Sequence, residues 1–161
     1  MATCEAGSAI MAYFYYDFRD ISKKSCRDLL LSLVTQLSAR SSPCCDILYH
    51  AYQIHENGSR QPSDDALKEC LRGMLRLPGQ SKIFIILDAL DECPDSPGIP
   101  SPRNEVLRLV EELVNLHLPM LHICCTSRPE VDIRAVLEPL AFFVRFPWMT
   151  KLDKKRISLN M

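Results

Sequence analysis

The sequence predicts an α/β protein built on a parallel sheet, and three observations carry that prediction. Short runs rich in β-branched, aromatic or aliphatic residues occur at Ala12–Phe18, Ile83–Leu87 and Met120–Thr126, each of strand length. Segments with apolar residues at helical spacing lie between them. The central run, in KIFIILDALDECP (Lys82–Pro94), shows no polar alternation and lies between Pro78-Gly79 and Pro94, which suits a strand buried on both faces of a parallel sheet.

The remaining elements follow in chain order. From Ser22, Leu29, Leu30, Leu33, Val34 and Leu37 form one apolar stripe, predicting a helix that ends at Ser41-Ser42-Pro43. A second helix is expected from about Asp46 to Ile54, before the Asn57-Gly58 turn, with an exposed loop at Ser59–Pro62. Ser63 is a candidate N-cap, with Asp64 and Asp65 in the first turn, where the helix dipole favours negative charge. Ala66/Leu67, Cys70/Leu71 and Met74/Leu75 then repeat along one face until Pro78-Gly79. Four prolines between Pro94 and Pro102 exclude regular structure there. Asn104 is the expected cap of a helix carrying Val106, Leu107, Val110, Leu113 and Val114. After the Met120–Thr126 run, Asp132–Leu137 is a short helical candidate and Ala141–Phe146, AFFVRF, a further strand candidate. The basic run at Lys151, Lys154, Lys155 and Arg156 reads as a solvated tail.

Composition narrows the function classes. The 161 residues are 47% hydrophobic and 24% charged, with a net charge of −1, ordinary for one globular domain. Such a balance supplies no basic field for nucleic acid or acidic lipid, so neither is expected as a partner. The amino terminus has no basic region ahead of its apolar part, and no apolar run reaches bilayer-spanning length. Eight scattered cysteines fit small buried hydrophobes in a reducing compartment, and a cytoplasmic location is expected. No CxxC, HExxH or GxSxG motif is present, leaving a structural zinc site or a nucleophile elbow unsupported.

Candidate chemistry concentrates at two strand ends. Asp88, Asp91 and Glu92 close the central run, and in open α/β sheets ligands sit beyond the carboxyl ends of the strands. Arg128, in Thr126-Ser127-Arg128-Pro129, ends the next run and could offer a planar fork of donors to a phosphate in the same crevice. The bland alternatives are an acidic turn and a loop arginine.

An apolar strand ending in Asp, then a small residue and Asp-Glu, resembles the Walker B element of P-loop NTPases in the DxxDE form of the NACHT family. AYFYYDFRD, the helix after it, FIILDALDEC and ICCTSRPE, in this order and at these distances, together resemble the NACHT domains of fungal NLR-like proteins of the STAND class. The same domains are described as nephrocystin-like amino-terminal domains, and the resemblance runs from about Ala12 to Phe146. It implies a three-layer, parallel-sheet P-loop NTPase core using Mg²⁺ and ATP or GTP. It further implies that Asp88 serves Mg²⁺, that Asp91 and Glu92 act on the attacking water, and that Arg128 contacts the γ-phosphate.

The family's GxxxxGK[ST] motif does not occur in these residues. Residues 1–11 are expected to be the remnant of the helix that follows that loop, residues 12–146 a partial NACHT domain, and residues 147–161 an unassigned tail. The core is therefore expected to be incomplete, with its first strand and P-loop missing, to bind ATP weakly or not at all by itself, and to be unable to hydrolyse it. In the family's sheet order the missing strand lies between the strand ending at Arg128 and AFFVRF, so those two should pair directly or leave an edge open. Self-association, or association with a full-length NACHT protein, is the expected partnership. Two rival functions are a nucleotide-independent interaction module and a metal-dependent hydrolase built on the acid cluster alone.

Overall fold

The structure, a computed structural model, describes residues 9–20, 23–55, 58–96, 100–140, 142–143 and 155–160, the last two stretches by their backbone. The elements in chain order are β1 (Ile10–Tyr15), α1 (Cys26–Ser38), α2 (Ser42–Ile54), α3 (Asp64–Leu75), β2 (Ile83–Asp88), α4 (Pro102–Val114), β3 (Leu121–Ser127), α5 (Val131–Leu137), β4 (Phe142–Phe143) and β5 (Lys155–Asn160), with 3₁₀ turns at Leu90–Glu92 and Glu138–Leu140. The architecture is mixed α/β. β1, β2 and β3 pair in parallel, and the order across the whole sheet is β1-β2-β3-β5-β4.

Three of the long helices, α1, α3 and α4, begin where a side chain satisfies a first free N–H group, whereas Ser41 before α2 makes no side-chain cap bond. Ser25 and Asp28 form a reciprocal capping box at α1, and the Ser63 hydroxyl accepts from the Ala66 N–H at α3, as the sequence suggests. Two starts differ from the sequence reading. Pro43 lies in the first turn of α2, extending that helix back to Ser42, because a proline is tolerated where no helical N–H is needed. For the same reason Pro102 opens α4, so its cap is Ser101, and Asn104 instead supplies the capped N–H.

The core lies on one face of the sheet. Ala12 and Phe14 of β1, Ile83, Ile85 and Leu87 of β2, and Leu121, Ile123 and Cys125 of β3 are all buried. In the parallel register Ala12 stands beside Ile85, Ile85 beside Ile123, and Phe14 beside Leu87. Leu29, Leu30, Leu33 and Leu37 of α1 join the same core, each contributing roughly 1.5–3 kcal/mol by burial. α1 packs against β1 and against α2, α3 and α4, and α5 packs on α4.

The opposite face corrects the expectation that the central strand is buried on both sides. Met11, Tyr13, Tyr15 and Phe84 are 47%, 51%, 45% and 38% exposed, so β1 and β2 alternate in burial. A run without polar residues cannot reveal which of its faces is covered, because alternation in burial here has no counterpart in residue type. Among the described residues the fold thus has two layers, and the third layer of the expected core is not among them.

The carboxyl-terminal part departs further. Lys155–Asn160, expected to be a solvated tail, is a strand that pairs antiparallel with β3, Ser127 opposite Lys155 and His122 opposite Asn160. Phe142–Phe143 pairs antiparallel with β5; the rest of the AFFVRF strand and residues 1–8 lie outside the described residues. Among the described residues, the strand ending near Arg128 therefore neither pairs with Phe142–Phe143 nor leaves an open edge, since β5 takes that place. No helix among the described residues is long and apolar enough to cross a membrane.

At the other edge, α1 covers part of β1. The Gln36 amide accepts from the Tyr13 N–H at 3.1 Å and donates to the Tyr13 carbonyl at 2.7 Å, while also donating to Ser32 Oγ at 2.9 Å. These two main-chain bonds are those a further strand would make, so the side chain occupies the pairing groups of an edge. Gln36→Ala frees both groups, and the expected outcome is concentration-dependent association beyond that of the unsubstituted chain in sedimentation velocity. Identical sedimentation of the two would show that the amide does not protect this edge.

Candidate functional site

β2 and β3 end level with one another, and their ends are tied by side chains. The register runs to Leu87 beside Cys125; one residue further on, the buried Thr126 hydroxyl donates to Asp88 Oδ1. Thr126 Oγ1 in turn accepts from the Ala89 N–H at 3.1 Å, and the Asp88 carbonyl accepts from the Tyr16 N–H at 3.0 Å. Asp88 itself is exposed. Ala89 adopts φ 58° and ψ 47°, left-handed values that a residue with a Cβ rarely takes. Its carbonyl accepts from the Glu92 N–H at 2.9 Å, closing the tight turn that carries Asp91 and Glu92.

Asp91 and Arg128 meet across the two strand ends. The Asp91 carboxylate, only 9% exposed, accepts from the Arg128 backbone N–H at 2.9 Å and lies 3.3 Å from its Nε. The Arg128 side chain is 68% exposed. A nearly buried carboxylate needs such partners, whereas an exposed guanidinium keeps its remaining donors available to solvent or ligand. Glu92 is half-buried on the same turn. Its charge contributes, after the hydrogen bond and charge of Asp17, to holding the Arg19 guanidinium above its ordinary range, which brings the end of β1 into the same charged rim.

Sequence reasoning thus identifies Asp88, Asp91, Glu92 and Arg128, and the fold brings all four strand-end residues to one end of the sheet. Two further residues were not singled out. Thr126 organises Asp88 and Ala89 together, yet a threonine in a strand carries no sequence signal of such a role. Arg103 is only 12% exposed and binds the acidic turn: its Nε donates to the Cys93 carbonyl at 3.0 Å and Nη2 to the Asp91 carbonyl at 2.9 Å, while Nη1 lies 3.3 Å from Asp132 Oδ2. Its signal was available, because a cation in the first turn of a helix opposes the helix dipole and calls for a partner elsewhere.

The residues present supply one exposed carboxylate for a cation. Asp91 is engaged by Arg128, and among the described residues no cluster of three or more His, Cys, Asp or Glu side chains could hold a metal ion. Mg²⁺ commonly takes one or two carboxylates and completes its shell with phosphate and water, so one exposed carboxylate is too small a donor set to hold a free ion.

Beneath the acidic turn, Tyr16 packs edge-to-face on Phe14 at 4.9 Å, and its hydroxyl has no hydrogen-bond partner among the described residues. Burial first, then the neighbouring thiols Cys93, Cys26 and Cys125, raise the Tyr16 hydroxyl well above its ordinary value. Burial likewise pushes the Cys26 and Cys93 thiols from 9.0 up to about 12. All seven described cysteines are free, five of them buried.

Two predictions arise here. Thr126→Val keeps the shape but removes the donor to Asp88 and the acceptor for Ala89, and is expected to lower unfolding free energy in urea by about 1–2 kcal/mol; an unchanged midpoint and slope would remove Thr126 from this role. The thiols work in the alkaline direction. Their raised folded pKa values mean that their contribution is complete below the unfolded value of 9.0 and is lost toward about 12, at up to roughly 1.4 kcal/mol per pH unit for each thiol. Denaturation series from pH 8 to 11 should show that decline, and its loss in a Cys26→Ala/Cys93→Ala double variant; a flat profile would contradict it.

Comparison with known proteins gives one family. A model of the family described as nephrocystin 3, N-terminal, matches residues 2–128. No curated protein and no solved structure gives a match. The matched span holds β1, β2, β3, the four helices α1 to α4 and every strand-end residue from Asp88 to Arg128. The chain belongs to the nephrocystin 3 N-terminal family.

Proposed function

We propose that the chain is the acid-bearing part of a NACHT-type nucleotide-binding domain in a STAND signalling NTPase, built to bind Mg²⁺ with ATP or GTP but not to hydrolyse nucleotide by itself. The observation that carries this reading is the convergence of Asp88, the Asp91 turn and Arg128 on the ends of adjacent parallel strands, where α/β sheets take their ligands. Mg²⁺, when bound with nucleotide, neutralises phosphate charge and orients the terminal phosphate.

Asp88 is the carboxylate for that ion, fixed through Oδ1 by Thr126. Arg128 is the phosphate contact, and its exposed guanidinium can exchange the Asp91 carboxylate for a phosphate. Asp91 and Glu92 are the groups that orient and deprotonate an attacking water; Asp91 becomes available for that task once Arg128 turns to phosphate. These 161 residues contain no GxxxxGK[ST] loop, so backbone donors that would cradle the phosphates are not supplied here. Weak binding and no turnover follow.

A second reading, a nucleotide-independent module that pairs with a complete NACHT protein, draws support from the open sheet face bearing Met11, Tyr13, Tyr15 and Phe84. One titration separates the two. With a fluorescent ATP analogue and Mg²⁺, the chain is expected to bind weakly, with a Kd of about 1 mM or above, and Asp88→Ala and Arg128→Ala should each remove that binding. Equal responses from the unsubstituted chain and both folded variants would overturn the nucleotide reading. Concentration-dependent association in the absence of nucleotide would then favour the second.

A further inference from the structure

We infer that Arg103 is the positioning residue of the strand-end cleft: one buried guanidinium sets the acidic turn and α5 together, and so fixes the pairing of Asp91 with Arg128. Arg103 is the second residue of α4, after the Ser101 cap and Pro102. A cation there opposes the helix dipole, and the side chain is 12% exposed, so neither helix stability nor solvation explains it. Its partners do.

All three guanidinium nitrogens are used. Nη2 holds the Asp91 carbonyl at 2.9 Å, Nε the Cys93 carbonyl at 3.0 Å, and Nη1 the Asp132 carboxylate at 3.3 Å. The Arg103 backbone N–H adds a bond to the Pro94 carbonyl at 3.1 Å. The turn that carries Asp91 and Glu92 is therefore anchored from below by its main chain, leaving the Asp91 carboxylate to face Arg128.

Asp132 completes the link. It lies in the first turn of α5, a few residues after Arg128, so the Arg103–Asp132 pair fixes the helix that follows the arginine. Arg128 is thus reached from two sides, through the Asp91 carboxylate and through the chain leading to α5. A planar, five-donor group can bind two carbonyls and a carboxylate at once; an ammonium at the same place cannot reproduce that fork. In such an arrangement Asp91 is the fixed partner and Arg128, with its exposed side chain, the one able to move.

The inference takes its functional meaning from the nucleotide reading, but its test needs no nucleotide, so the two can fail separately. Hydrogen exchange of individual amides would be measured in the unsubstituted chain, in Arg103→Lys and in Asp132→Asn. The expected result is exchange of the Arg128 amide at least about tenfold faster in Arg103→Lys, with amides of β1 and α1 unchanged, and a smaller acceleration at Arg128 in Asp132→Asn. If Arg103→Lys does not fold, Asp132→Asn decides alone by the same local pattern. An Arg128 amide that exchanges at the unsubstituted rate, or that accelerates only in step with β1 and α1, would reduce Arg103 to a general stabiliser and overturn the proposal.

Discussion

The parallel pairing of β2 with β3, ending with both strands level, is the constraint on which the rest depends. Apolar side chains on one face hold the pair against the helices, and that burial lets polar groups gather beyond Leu87 and Cys125. Each of them is then handled according to how far it is taken out of water. Asp88 stays exposed and needs only one side-chain partner. Asp91, nearly buried, receives a backbone N–H and a guanidinium, as a desolvated charge requires. Arg103, nearly buried as well, has every guanidinium nitrogen bonded.

Much of this was legible in the sequence because it is written locally. The stripe Leu29, Leu30, Leu33, Leu37 and the cap at Ser63 depend on neighbours within a few turns, and the three parallel strands on composition and flanking turns. What was not legible depends on distant residues. The apolar run of β2 reads the same whether one face is covered or two, and only tertiary packing leaves Phe84 partly exposed. KRISLN reads as a basic tail, since its strand character comes from pairing with β3, about thirty residues earlier in the chain. Pro43 reads as the end of one helix and Pro102 as part of an irregular stretch, yet each lies in the first turn of a helix, because a proline signals a helix boundary without saying on which side the helix lies.

The family match ends at residue 128, whereas the contacts do not. Asp132, beyond the match, holds the guanidinium that supports the acidic turn inside it. β5, further still, pairs with the strand that ends at Ser127. The strand-end cluster thus draws its side chains from the matched span and part of its support from outside it, so a boundary placed at Arg128 would cut through an interacting unit.

Ala89 carries one more consequence. Its left-handed backbone, φ 58°, costs an alanine roughly 1–2 kcal/mol, and a glycine would adopt it freely. Yet glycine would also let the turn after Asp88 sample other shapes, in the unfolded chain and in the folded one. With alanine, fewer such shapes are open to it. Relief of backbone strain and rigidity of the turn after Asp88 therefore pull on residue 89 in opposite directions.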